Sequence, residues 1–222
     1  THADAILNAT NRPDGFKLCK KIFGDKVALV PYVMPGFMLA KKVYEIYSNN
    51  PKINCLILMN HGIFTFADDA KEAYSLMIKY VSQAEQAIKK LKVKKIKQIA
   101  KFSPKFEPHE IAPIIRGLLS DSHQDQKFIV NYKSNKHLKY FANGKNVRTY
   151  SSKGTATPDH VIRVKPFPLI ITPKKDSTLN DFKNIAHKAM SNYRKKYISY
   201  FNKNKKKVKG KRVMLDTSPR VV

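Results

Sequence analysis

The sequence predicts an α/β protein in which helices cover a sheet in layers. Two short apolar runs, residues 27–32 and 55–59, have the length and composition of buried strands. Each run is followed by a longer segment whose apolar residues recur at the three- and four-residue spacing of an amphipathic helix. Strand, helix, strand, helix in this order is typical of a layered α/β domain.

Local signals support each of these elements. Pro31 points to the end of the first strand, and Pro35-Gly36 breaks the chain before the first helix. The apolar stripe of that helix contains Phe37, Ala40, Val43, Tyr44 and Tyr47. After the second strand, Asp68 and Asp69 are candidate caps for a helix over residues 70–88, with Glu72 at capping-box spacing from Asp69.

The second half of the chain is less regular. Residues 89–101 are rich in lysine and either continue the helix or fray from it; we prefer a solvated face over a binding surface for them. The pattern predicts a short helix over residues 111–119 and a pair of strands at 127–132 and 138–142. A β-branched run at 161–164 predicts another strand.

A long helix is predicted near the C-terminus. Asp176, Ser177 or Thr178 would cap it, and its apolar stripe runs from Phe182 to Phe201. The basic run at 203–212 is expected to be solvated and flexible.

The formal net charge of +27 raises the hypothesis of a nucleic-acid partner. Only seven of the 43 basic residues are arginine, and the chain has no zinc-finger, RNP or helix-turn-helix signature. Because arginine does most of the bidentate recognition of phosphate and guanine, we expect no specific nucleic-acid partner. Polyanions should still adsorb non-specifically at low salt.

Other bulk features restrict the class of protein. No apolar run approaches the roughly 20 residues of a membrane span, so no membrane association is expected. The two cysteines, Cys19 and Cys55, suggest reduced thiols in the cytoplasm. The chain starts at Thr1 without an initiator methionine and ends on two valines, so we expect it to be part of a longer polypeptide.

Two histidines are the candidates for chemistry. His61 lies between Asn60 and Gly62 at the end of the second strand, where α/β proteins often place functional side chains. His2 precedes a short helical pattern at the start of the chain. A polar loop at 154–160 adds a third imidazole and a carboxylate; it is either a loop of the same site or an ordinary turn capped by Asp159.

Five strings in order along the chain resemble the class II aldolase/adducin family. They are T-H-A-D-A at the start, P-Y-V-M-P-G-F, L-M-N-H-G, G-T-A-T-P-D-H-V-I-R, and M-L-D-T-S-P-R-V-V at the end. The chain resembles in particular the aldolase half of bifunctional rhamnulose-1-phosphate aldolase/alcohol dehydrogenases. One departure is Ala67, where these relatives have glycine; if that position required positive φ, alanine would cost about 1 kcal/mol.

The resemblance implies a layered α/β/α aldolase-like domain lacking its N-terminal part, with a C-terminal helical extension. Residues 1–172 would form the aldolase part. Residues 173–222 would be a helical linker to a short-chain dehydrogenase domain outside these 222 residues. NAD would belong to that domain alone, because the chain contains no G-x-G-x-x-G fingerprint.

The implied activity is zinc-dependent cleavage of a ketose 1-phosphate, with rhamnulose 1-phosphate giving dihydroxyacetone phosphate and lactaldehyde. His2 and His61 would be zinc ligands. A third ligand and the acid/base glutamate would lie upstream of Thr1, so these residues alone should be inactive. The candidates for substrate binding are Asn60, Gly62, Thr157, Asp159, His160 and Arg163.

Three further expectations remain from the sequence. The resemblance implies a homo-oligomer that binds a sugar phosphate. A metal-free, adducin-like scaffold that binds partners is the first alternative function, although the presence of both His2 and His61 disfavours it. A basic nucleic-acid-binding module is the second alternative.

Overall fold

Both predicted strands of the first half are present in the computed structural model, which describes residues 1–91, 95–99, 106–120, 127–208 and 210–222. They are shorter than predicted: β1 is Ala28–Val30 and β2 is Cys55–Leu58. The two strands pair in parallel, and β2 also pairs antiparallel with a third strand, β3, Gly62–Thr65. The sequence analysis did not predict β3, which forms a hairpin with β2.

The contacts of the chain divide it into two compact units. Unit 1 contains Thr1–Lys94 and Thr155–Arg163, and unit 2 contains Lys95–Gly154 and Val164–Val222. The sheet belongs to unit 1, together with α1 (Asp4–Thr10), α2 (Gly15–Phe23), α3 (Phe37–Asn49) and α4 (Ala70–Lys89).

Alternating side chains of the sheet enter two different cores, which confirms the layered α/β prediction. Cys55 and Ile57 are buried with residues of α1, α2 and α4 on one face. Val30 and Leu56 are buried on the other face, where the apolar side of α3 packs. Because successive side chains of a strand point to opposite faces, this division places helices on both sides of the sheet.

The start of α4 follows the predicted capping pattern. The Asp69 carboxylate accepts a hydrogen bond from the Glu72 amide at 2.8 Å. Outside glycine, the residues with positive φ in the described chain are Asn60 and Lys165, so alanine at position 67 meets no backbone strain. The helix ends at Lys89, and residues 95–99 are not helical, so the described part of the lysine-rich run does not continue it.

Unit 2 is built from helices. They are α5 (Pro108–Ser120), α6 (Lys136–Ala142), α7 (Val147–Tyr150) and α9 (Leu179–Lys205). The helix predicted over 111–119 is therefore confirmed as α5. The long helix is confirmed as α9, with Thr178 as its cap in a reciprocal capping box with Asp181. The described part of the basic run at 203–212 starts inside α9 rather than beyond it.

The strand pair predicted at 127–132 and 138–142 is wrong. Residues 127–132 form no ladder with any described residue, and residues 136–142 form helix α6. Asn135 caps that helix by accepting a hydrogen bond from the Leu138 amide at 2.9 Å. The cap, together with apolar side chains at Leu138, Phe141 and Ala142, favoured the helix over the aromatic strand pattern.

The strand predicted at 161–164 is also wrong, because these residues belong to helix α8, Pro158–Val164. Thr157 precedes the helix, and proline occupies its first position. A hydroxyl cap and a proline with preset φ favour helix initiation more strongly than the β-branched run favours a strand.

The boundary predicted at residue 172 concerns the roles of two segments in a longer protein and stays a prediction. Within the described parts of the chain, no helix combines the length and apolar character needed to cross a membrane.

Candidate metal centre

The β2–β3 hairpin positions His61. The amide of His61 donates to the Leu58 carbonyl at 3.1 Å, which closes a tight turn at the end of β2. Asn60 occupies this turn with φ +60°, a left-handed conformation that asparagine tolerates better than most residues. The His61 side chain is held close to the core and is 15% exposed.

Gly62 allows the start of the chain to approach the hairpin. The backbone nitrogen of Thr1 donates to the Ile63 carbonyl at 2.8 Å, and the Ile63 amide donates to the Thr1 carbonyl at 3.0 Å. A Cβ atom on Gly62 would lie 2.4 Å from the Thr1 carbonyl oxygen, a distance that real Cβ atoms do not reach. Glycine here thus permits the pairing that places His2 beside His61, with ring centroids 5.3 Å apart.

A third segment, residues 155–163, supplies Asp159 to the same place in unit 1. The buried Thr157 hydroxyl lies 2.5 Å from His160 Nδ1 at the start of α8. Asp159 is in the first turn of the helix and extends its Oδ2 atom to 3.0 Å from His2 Nε2 and 3.5 Å from His61 Nε2. One carboxylate oxygen therefore contacts both imidazoles.

A pair of asparagines joins this segment to the hairpin. The Asn11 amide donates to the Ala156 carbonyl at 2.7 Å. The Asn60 amide in turn donates to the Asn11 side-chain oxygen at 3.2 Å. The hydrogen bonds run from the His61 turn to the Asp159 loop, so they fix the separation of the two segments.

The three side chains meet the distance requirements of a metal site. One potential ligand atom from each of His2, His61 and Asp159 lies within 4.8 Å of the other two. Ligands about 2.0–2.1 Å from a tetrahedral zinc ion lie roughly 3.4 Å apart, close to the observed 3.0 and 3.5 Å separations. Two imidazoles and one carboxylate are also a donor set used by catalytic zinc and by non-haem iron.

One feature of His61 departs from a fully built metal site. Its Nδ1 atom is buried and has no hydrogen-bond partner within the described residues. A ligand histidine ordinarily donates its second ring N–H to a carboxylate, a carbonyl or water, which orients the ring. The packing around His61 and its turn therefore provide the orientation.

The other predicted site residues lie around this cluster or support it. His160 is exposed, with its ring centroid 6.1 Å from that of His2. Arg163 is exposed one helical turn after Asp159 and faces the same side of α8. Asn60 forms the turn before His61, and Gly62 permits the close approach of Thr1. Thr157 contacts His160.

Sequence reasoning missed Asn11. Its only sequence signal is an asparagine beside Arg12-Pro13 in a turn-forming stretch. That signal is common and does not reveal a partner 145 residues away.

Comparison with known protein families assigns both halves of the chain. Residues 2–88 match the model of the class II aldolase and adducin N-terminal domain, and residues 107–222 match that of the aldolase class II second domain. The chain belongs to the class II aldolase/adducin family. The resemblance seen in the sequence is confirmed, and membership points to a lyase in a family whose aldolases are typically metal-dependent.

A relative in Bacillus subtilis (strain 168) is named uncharacterized oxidoreductase YuxG. It is 26% identical over 230 residues, a match that covers 100% of this chain and 32% of YuxG. This class II aldolase/adducin chain thus spans about a third of the length of that relative. No solved structure matches the chain.

Proposed function

We propose that this chain is the aldolase part of a bifunctional aldolase/dehydrogenase that uses zinc to cleave a ketose 1-phosphate. The observation that carries the proposal is the convergence of His2, His61 and Asp159 in a member of the class II aldolase/adducin family. The greater length of YuxG and its oxidoreductase name support a second, dehydrogenase activity in the longer protein, with NAD as its cofactor.

The metal would supply Lewis-acid catalysis, polarising substrate oxygens and stabilising the negative charge that develops when the carbon–carbon bond breaks. His2 and His61 would hold it through ring nitrogens. The Ile63–Thr1 backbone pairing and the Asn60 turn keep these two imidazoles in a fixed relation without any contribution from the metal. Preorganised ligands of this kind reduce the ordering that metal binding requires.

Polar groups around the cluster suit a phosphorylated sugar. His160 and Arg163 are exposed on α8 near Asp159 and can provide N–H donors to hydroxyl or phosphate oxygens. Rhamnulose 1-phosphate is the substrate that the resemblance implies, with another deoxyketose phosphate or a pentulose phosphate as alternatives. The acid/base glutamate and one further metal ligand are expected upstream of Thr1.

The deciding experiment assays the full-length protein for condensation of dihydroxyacetone phosphate with lactaldehyde, and for cleavage of rhamnulose 1-phosphate. Metal analysis of the same preparation should give about one zinc per chain. Activity that is lost on chelation and restored by zinc supports the proposal. If rhamnulose 1-phosphate is not cleaved, another deoxyketose phosphate and a pentulose phosphate are assayed next; a protein with one bound zinc and no activity on any of these would overturn the proposal.

A metal-free scaffold is the second candidate, because the Asp159 carboxylate lies 3.0 Å from His2 Nε2 and can hydrogen-bond to this imidazole without a metal. Metal analysis separates the two candidates, since the scaffold predicts no stoichiometric metal.

We also propose that the protein is a homo-oligomer. None of the residues of α3 is buried within the chain, and Phe37 and Tyr44 are 81% and 71% exposed. A second copy of the chain would cover the side of α3 that carries Phe37 and Tyr44. Light scattering should report an oligomer for the full-length protein, and Phe37→Glu should shift it toward the monomer; an unchanged mass would contradict this role for α3.

The proposal includes a cytoplasmic location. Cys19 and Cys55 are both buried and free, as expected in a reducing compartment, and burial raises the pKa of Cys19 to about 11.

A further inference from the structure

Asp159 belongs to the second family domain by sequence but lies against the histidines of the first. Residues 107–222 match the second-domain model and residues 2–88 the N-terminal model. Within the fold, however, residues 155–163 pack with residues 1–94 in unit 1. The segment that the second domain contributes to unit 1 is therefore the segment that carries Asp159.

We propose that Asp159 is a direct ligand of the divalent cation held by His2 and His61, supplied to the first family domain by the second. The inference rests on the proposed function, since it requires the cation. With the ligand expected upstream of Thr1, the cation would have four protein ligands, and a substrate oxygen would bind as a fifth. Through Asp159 the metal would hold residues 155–163 against the β2–β3 hairpin, so the complete site would form only when this segment is docked.

The geometry supports direct ligation. Asp159 Oδ2 is 3.0 Å from His2 Nε2 and 3.5 Å from His61 Nε2, so a single oxygen faces both nitrogens. The carboxylate would also reduce the charge of a divalent cation coordinated by two neutral imidazoles. The hydrogen bonds through Asn11 hold Ala156 at the hairpin and limit how far Asp159 can move away.

A simple ion pair with His2 is the competing explanation. The side chains of His2 and Asp159 are 39% and 48% exposed, and exposed pairs of this kind contribute about 0–1 kcal/mol. One carboxylate oxygen can accept from two N–H donors, so an ion pair with both imidazoles gives the same distances. The two explanations differ in what a metal does to the segment, because only a ligand couples metal binding to docking of residues 155–163.

The first test measures zinc affinity of the full-length protein by competition with a chromogenic chelator. Loss of a group that supports a metal site typically weakens binding about 10–100-fold, so Asp159→Asn should weaken it by at least that factor. Asp159→Glu keeps the carboxylate and should recover part of the affinity. Glu45→Gln is the matched control: Glu45 has a similar side-chain exposure of 46% and an ion pair with Lys42, and its loss should leave affinity unchanged.

The second test follows hydrogen exchange in residues 159–164 with and without zinc. Binding that requires the docked segment should slow exchange by up to roughly 100-fold at a free zinc concentration 100 times Kd. This protection should disappear in Asp159→Asn and persist in Glu45→Gln. Because Asp159 is half exposed, the asparagine variant should fold, and circular dichroism checks that it does.

The outcomes separate this inference from the proposed function. If His61→Ala loses zinc while Asp159→Asn keeps wild-type affinity and protection, Asp159 is not a ligand and the metal site of the proposed function stands. If His61→Ala retains zinc at full occupancy, both the proposed function and this inference are overturned. Reduced affinity and lost protection in Asp159→Asn, with both retained in Glu45→Gln, support ligation.

Discussion

Among the described residues, a cluster of charged side chains in unit 1 and another in unit 2 differ in how their polar atoms are used. In unit 2, the Lys165 ammonium donates to the carbonyl oxygens of Asp216 and Ser218, the latter at 2.6 Å, and lies 4.6 Å from the centre of the Tyr197 ring. Arg220 completes this Lys165 cluster by pairing with the Asp216 carboxylate. In unit 1, by contrast, His2, His61 and Asp159 turn their ligand atoms toward one another.

Burial separates the two clusters further. Lys165 is 2% exposed, and burial lowers its pKa, an effect that Asp216 opposes. Burial raises the pKa of Asp216, but hydrogen bonds from Arg220 and the Ser218 backbone hold it below its ordinary value. The Lys165 cluster therefore satisfies its charges internally, as a structural group must, whereas the half-exposed histidine cluster remains open to a ligand.

The largest effect should come from His61→Ala. Because this imidazole is anchored by the hairpin, its removal should abolish stoichiometric zinc and aldol cleavage in the full-length protein. The dehydrogenase activity proposed for the downstream domain should remain. His187→Ala, an exposed histidine of α9, is the control and should change neither property. Normal zinc content in His61→Ala would show that His61 is not a zinc ligand, and the histidine cluster would then be structural like the Lys165 cluster.

Lys165→Met should have the second-largest effect, and on stability rather than on metal. Removing the ammonium leaves the carbonyl oxygens of Asp216 and Ser218 without this donor, which typically costs about 1–3 kcal/mol for each buried group, whereas the Asp216 carboxylate keeps Arg220. We expect a loss of this size in urea unfolding followed by circular dichroism. Lys188→Met, on the exposed face of α9, should stay within about 0.5 kcal/mol of wild type. At urea concentrations below its unfolding transition, Lys165→Met should bind zinc with wild-type affinity. A lower zinc affinity would show that the Lys165 cluster is not purely structural.

Gly62→Ala tests whether close backbone packing, rather than ligand chemistry, positions His2. The new Cβ would lie 2.4 Å from the Thr1 carbonyl oxygen, so the Thr1–Ile63 pairing must shift. Overpacking of this kind costs about 1–3 kcal/mol, and displacement of His2 should weaken zinc binding although no ligand is changed.

Gly117→Ala provides the matched control for Gly62→Ala. An added Cβ there has no neighbour within 4 Å, and the residue is inside helix α5, where alanine is favoured by up to about 1 kcal/mol. Equal zinc affinity in both glycine variants would show that the Thr1 approach does not set the His2 position.

The sequence analysis predicted the helices and strands that depend on local periodicity. It predicted the wrong element where distant contacts or helix caps determine the structure. The strands around Ile57 and the helix capped by Asp69 were found because their patterns are strong within a few residues. Residues 161–164 were assigned to a strand because their β-branched composition outweighed the Thr157-Pro158 start signal.

The candidate site was predicted in the same uneven way. His61 follows a buried strand, a position that is visible in sequence. The approach of Asp159 to His2 joins residues 157 positions apart, and no local pattern encodes which loop returns to the hairpin. Gly62 was noticed as a candidate for substrate binding, but its contact with Thr1 depends on a backbone pairing that only the fold reveals.

The smallest expected effect concerns Asn11, which links the two segments of the histidine cluster. Asn11→Ala removes the donor to the Ala156 carbonyl and the acceptor for the Asn60 amide. Exposed hydrogen bonds contribute about 0.5–1.5 kcal/mol, so global stability should fall by about 1 kcal/mol. Because the lost contacts hold residues 155–163, hydrogen exchange of that segment should accelerate more than exchange in α4, and added zinc should restore part of the protection if Asp159 binds the ion. Asn8→Ala, an exposed asparagine of α1, should change neither measurement. Uniform acceleration throughout unit 1 would instead mean that Asn11 supports the fold as a whole, and the hydrogen bonds from Asn60 to Ala156 would then have no specific part in bringing Asp159 to the histidines.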